Sequence, residues 1–197
     1  MPDYISTLRK DGTHAAALFS TDGCFRFWLS RDWSAPSQQP AKTCLFIMLN
    51  PSTATHEIDD PTIRKCVGFA KRWGYTAIEV MNLFPYRATD PKLLLTNVAE
   101  HTNWPNSVTA ELWRRSLALN DELIRVMVAN VDTVICAWGA NARHPLVQAR
   151  VRNVVDILIE SGYGGWAINV LKGNVPAHPL MQKYADQPVP FNFKAPA

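Results

Sequence analysis

Short, unbroken apolar runs that stop at polar residues, alternating with stretches of helical periodicity, constrain this 197-residue chain more than any other feature. Residues 43–49 (TCLFIML) are apolar at both alternating sets of positions, as a strand covered on both faces requires. The run ends at Asn50-Pro51-Ser52-Thr53. Asp60 before Pro61 has the form of an N-cap followed by proline at the first helical position. Ile63, Cys66, Val67, Ala70 and Trp73 then keep helical spacing until Gly74. Residues 77–81 form another apolar strand ending at Asn82, and residues 131–138 (VDTVICAW) one closed by Gly139. Strands are also expected at 25–29 and 165–170. Helices are expected from Asn106 or Ser107 to about Asn130, and across Val147 to Ile159. The stretch from Phe84 to Pro105 reads as a long loop with short helical pieces, and the Pro-rich tail 173–197 as irregular.

Buried strands alternating with helices predict an α/β fold: a three-layer α/β/α sandwich around a central, mainly parallel four-stranded sheet. The length suits a single domain over residues 1–197, with its core at about 25–181. Ligands of such sheets bind beyond the carboxyl ends of the strands. That singles out Asn50 to Ser52, Asn82 to Phe84, Trp138-Gly139, and the segment from Pro176 to Leu180.

Composition removes several classes. With 47% hydrophobic and 19% charged residues, the chain can bury a core and is not a disordered one. The net charge of +3 permits an anionic partner without demanding one. No run approaches the roughly 20 apolar residues of a membrane span. The opening residues lack a basic flank and apolar run, so a cytoplasmic protein is expected. Cys24, Cys44, Cys66 and Cys136 are scattered, with no Cys-x-x-Cys pair, so neither metal nor other cofactor is expected. Both phosphate-loop signatures and the G-x-S-x-G elbow are missing. What stands at the strand ends is Asn50, Asn82 and His178 with acids nearby, a set for hydrogen bonding and polarising a neutral ring.

An apolar strand ending in Asn-Pro (LFIMLNPST), another ending in Asn (VMNLF), a third ending in Trp-Gly (ICAWG), and then His-Pro-Leu resembles the uracil-DNA glycosylase superfamily over residues 43–181. The stretch LNPSTAT…EIDDPTIRKC…NLFPYRATDP is also similar to a family of bacterial and phage proteins. The superfamily resemblance implies a monofunctional, metal-independent DNA glycosylase that hydrolyses the N-glycosidic bond of a flipped pyrimidine. By position, Asn50 would hold the hydrolytic water, Asn82 would read the base, and His178 would donate to the base O2 as negative charge develops there. An amide has no useful basicity, so Asp59 or Asp60 is expected to orient the water.

The departures from that resemblance are specific. Best-known members carry a bulky aromatic after the first motif, crowding the pyrimidine C5 position; here Ser52, Thr53 and Ala54 follow Pro51, and all are small. A wide pocket for a C5-modified base is therefore expected, such as glucosylated hydroxymethylcytosine in phage DNA, in an antiviral role. Pro51 and Ser52 would shape that pocket, and Phe84 or Tyr86 would stack on the base. Arg87, Arg64, Lys65 and Lys172 would meet the DNA backbone. Lys172 as a Schiff-base former is the strand-cleaving variant, set aside for a monofunctional enzyme acting as a monomer. Plainer readings stand beside these: Asn50-Pro51 as a turn, Asp60 as a helix cap, and His178 as one of two His-Pro-Leu tripeptides, the other at His144. Uracil-excision repair, a free-nucleotide N-glycosidase and a non-catalytic sensor of modified DNA are the functional alternatives.

Overall fold

The computed structural model describes residues 2–193. In chain order the strands are β1 (Asp3–Leu8), β2 (His14–Phe19), β3 (Arg26–Asp32), β4 (Thr43–Met48), β5 (Ala77–Asn82), β6 (Thr133–Cys136), β7 (Gly165–Ala167), β8 (Val170–Leu171), β9 (Val175–Pro176) and β10 (Val189–Phe191). The helices are α1 (Pro61–Arg72), α2 (Pro91–Asn103), α3 (Val108–Val128) and α4 (Pro145–Glu160).

The main sheet is eight-stranded and mixed, in the order β1-β2-β3-β5-β4-β6-β7-β10, rather than the mainly parallel four-stranded sheet expected. Pairs β5–β4, β4–β6 and β6–β7 are parallel, each joined through helices as parallel strands require. β1, β2 and β3 form an antiparallel meander against β5, and β10 closes the other edge antiparallel to β7. The expectation missed these edges for a physical reason. β2 (HAAALF) is alanine-rich, and β10 (VPF) carries a proline, which strands tolerate at an edge.

β4 explains the alternation of layers. Leu45 and Ile47 pack with residues of α2, α3 and α4, whereas Cys44, Phe46 and Met48 pack with Ile63, Cys66, Phe69 and Ala70 of α1. Both faces are covered, which is why the run is apolar throughout. α1 starts where expected: Asp60 accepts the Ile63 N–H at 2.9 Å, with Pro61 at the first position. The predicted loop after Phe84 is instead largely helix α2. Asp90, accepting the Lys92 N–H at 2.8 Å, and Pro91 repeat the Asp60-Pro61 start. The helix buries only Leu94 and Val98 fully, too narrow a stripe for its periodicity to register. No described helix is long and apolar enough to cross a membrane.

Candidate functional site

A cavity of about 500 Å³ opens beyond the carboxyl ends of β4 and β6, over the first turn of α1. Asn50 enters it from the end of β4. Its Nδ2 donates to the Pro51 carbonyl at 3.0 Å and to the Ala88 carbonyl at 2.7 Å. Because the nitrogen is committed to backbone, what Asn50 offers a ligand is its Oδ1 acceptor. Pro51 is buried and does not line the cavity; its carbonyl fixes Asn50 and also takes the Ala88 N–H. Ser52 and Thr53 do line the cavity.

The two expected acids part company. Asp60 lines the cavity, buried, with one carboxylate oxygen capping α1. Asp59 does not line it. Arg9 grips both Asp59 oxygens at 2.9 Å, and Arg31 donates to Oδ1 at 2.9 and 2.7 Å. Burial raises the Asp59 carboxyl, but the two guanidiniums outweigh it and hold the group below the usual carboxylate range. An acid so clamped fastens the loop before α1 and does not orient a water in the cavity.

His178 reaches the cavity from the far end of the chain, capping a short turn at Pro179–Met181. Its Nδ1 accepts the Leu180 N–H at 3.3 Å, so the ring proton sits on Nε2. Burial pulls its pKa below the ordinary 6.5, with Asp60 opposing. The group is therefore a neutral imidazole with one N–H to give. His144 makes the same cap on α4, accepting from Leu146 N at 3.3 Å, yet it stands outside the cavity. The tripeptide is a capping device; only placement distinguishes its two copies. Gly139 is what admits His178. Its φ of +76° and extended ψ suit glycine alone, and a Cβ there would come 2.9 Å from the His178 Cβ.

The residue that sequence reasoning missed is Arg26. It is 1% exposed, lines the cavity, donates from Nη1 to the Ala54 carbonyl at 2.9 Å, and leaves its buried Nε without a partner. Burial lowers its pKa to about 10, with Asp60 opposing through space. A bulge aims it there. Leu18 faces Trp28 and Phe19 faces Arg26, so Phe27 is skipped and Arg26 comes to the α1 side. Plain alternation along β3 would have turned it to the other face.

Other expected residues lie elsewhere. Asn82 is buried at the end of β5 and does not line the cavity, although both of its side-chain polar atoms are buried without a partner. Phe84 and Tyr86 pack against Trp113 of α3, with centroids 6.1 and 5.6 Å from its ring, on the opposite side of the sheet. They are core and not a stacking platform. Arg87 donates to the Gly23 carbonyl and lies over the Phe19 ring. Lys65 donates to the Gln182 carbonyl at 2.6 Å, and the Lys65 and Arg72 cations each lie 4.2 Å from the centroid of the Tyr184 ring. Lys65 and Arg72 of α1 thus hold down the segment at Gln182 and Tyr184. Arg64 and Lys172 are exposed, Arg64 donating to the Asp59 carbonyl. Among the described residues, no three His, Cys, Asp or Glu side chains converge as a metal site.

Searches of curated proteins and of solved structures found no match. A family model does match, over residues 26–180, a span that runs from Arg26 to Leu180 and includes Asn50, Asp60 and His178. The chain that builds this cavity therefore belongs to the family described as "Protein of unknown function (DUF1643)".

Proposed function

We propose that the cavity is the active site of a monofunctional, metal-independent DNA glycosylase of the uracil-DNA glycosylase type, with the three-layer α/β/α arrangement of that superfamily. Its substrate is a flipped pyrimidine carrying a C5 substituent, as in the modified cytosines of phage DNA, and its product is an abasic site. One observation carries the reading: Asn50 and Asp60, from the connection between β4 and α1, and His178, more than a hundred residues further on, line one cavity at the strand ends.

The chemistry follows from the polar atoms. Asn50 Oδ1 accepts from a water, and the Asp60 oxygen not engaged in capping takes its proton. The water oxygen bonds to the sugar C1′ as the C1′–N bond breaks, its electron pair passing to the base. His178 Nε2–H donates to the base oxygen where that charge accumulates, stabilising the departing anion. The proton held by Asp60 then returns to the base. Small Ser52 and Thr53 leave room beside the ring. Exposed apolar Leu180 and Met181 at the rim suit a wedge that fills the gap left by an extruded base.

A free-nucleotide N-glycosidase is the second reading. It is favoured by the internal engagement of Lys65 and Arg87, which reduces the expected DNA footprint to Arg64 and Lys172. The test is base release, read by mass spectrometry, from DNAs containing uracil, hydroxymethyluracil, hydroxymethylcytosine or glucosylated hydroxymethylcytosine, with the matching free nucleotides in parallel. The glycosylase reading predicts release from DNA that Asn50→Ala and His178→Ala each reduce by about 100-fold or more. Cleavage confined to free nucleotides would select the second reading, and no release from any substrate would contradict both.

A further inference from the structure

We infer that Arg26 is the specificity-determining residue of the cavity, and that it selects a base whose substituent is rich in hydroxyl groups. The inference rests on the glycosidase reading of the same cavity and deepens it by naming the residue that selects the substituent.

Arg26 is a fully buried cation, and none of the described ion pairs includes it. A guanidinium has five N–H donors; one Arg26 nitrogen is engaged by the Ala54 carbonyl, and Nε has no partner. Holding such a group away from water is costly unless its remaining donors are met, and here it lines a cavity. Asn82 lies behind the cavity without lining it. Ile78 and Val80 of β5 face α1, so alternation turns Asn82 to that side too. It pairs in register with Met48, which lines the cavity, and its buried amide is unsatisfied at both ends.

Charge decides what the ligand group is. Asp60 shares the cavity and acts on Arg26 through space, so the pair contributes no net charge. A phosphate brought to Arg26 would face the Asp60 carboxylate, whereas a hydroxyl, donor and acceptor at once, suits both. The remaining polar lining is of the same adaptable kind: Ser52, Thr53, Thr62, Thr89 and Asn141. The size agrees, since about 500 Å³ is far more than one pyrimidine ring fills. A hexose attached through a hydroxymethyl group at C5 meets these conditions.

The probe is the free deoxynucleoside of glucosylated 5-hydroxymethylcytosine, with unmodified deoxycytidine beside it. Binding to each is measured by calorimetry for the wild-type protein, Arg26→Lys and Arg26→Gln, with circular dichroism to establish folding. Wild type should bind the glucosylated nucleoside at least about 10-fold more tightly, and Arg26→Gln should lose that preference, a drop of roughly 10- to 100-fold. Arg26→Lys should retain only part of it, because an ammonium lacks the planar fork. Equal wild-type affinity for the two nucleosides would overturn the inference even if neither variant folds, as would a preference unchanged in Arg26→Gln. Binding of this pattern without base release from any substrate would leave Arg26 as the selector and reject the glycosidase reading alone.

Discussion

His178 holds its proton on Nε2 because Nδ1 is occupied by the Leu180 N–H. Nitrogen-detected NMR should accordingly show Nδ1 unprotonated and Nε2 protonated at neutral pH, and the opposite tautomer would remove the donor from the proposed mechanism. Protonation of Nδ1 would turn it from acceptor to donor against the Leu180 amide. Burial depresses the folded pKa, so the favourable neutral form is complete above 6.5 and is lost as pH falls through a lower value. Base release should show an acid limb below pH 6.5. Residue by residue, legibility in the sequence followed local chemistry. Asn50, Asp60 and His178 were readable because each terminates a strand or caps a helix with a recognisable neighbour. Arg26 was not, because a single skipped residue in β3 reverses the face on which it emerges. Asp59 was misread because its partners Arg9 and Arg31 lie in distant segments.

At the level of elements, the site depends on the junction between β6 and the turn that carries His178. Gly139 N–H donates to the Pro176 carbonyl at 3.0 Å and sits against the His178 side chain. Gly139→Ala should destabilise the fold by about 1–3 kcal/mol, seen as a lowered urea midpoint with unchanged slope. It should also reduce base release beyond what the lost stability explains, by pushing His178 from its place. Wild-type stability in this variant would mean that the junction tolerates a side chain. The apolar strands β4, β5 and β6 were legible because burial on both faces writes itself into consecutive residues. Helix α2 and the β1–β2 hairpin were not, since half-exposed or alanine-rich segments carry little pattern.

Across the whole molecule, Glu79 lies where the antiparallel and parallel halves of the sheet meet, on β5 opposite Ser30 of β3. Burial pushes its carboxyl from 4.5 up to about 8, although Trp28 and Ser30 donate to it. Folding therefore takes up a proton between those values. Stability is full below pH 4.5 and declines as pH rises toward about 8. Glu79→Gln should flatten that decline and exceed wild type at pH 8 by on the order of 2–4 kcal/mol. Urea melts at pH 5 and pH 8 measure it, and parallel pH dependence in the two proteins would contradict it. The mixed sheet explains why its extent exceeded the sequence reading: the crossover strands define an apolar parallel centre, and the added strands β1, β2 and β10 lie toward the edges, where exposed, alanine-rich or proline-bearing segments carry little pattern.

The central claim is that this cavity splits a glycosidic bond with water. The most direct measurement is incubation of the protein with glucosylated hydroxymethylcytosine DNA in heavy-oxygen water, with both products examined by mass spectrometry. Free base without label, together with an abasic sugar carrying one heavy oxygen at C1′, is the predicted result. Intact nucleotide, or a released base that itself carries the label, would contradict the account.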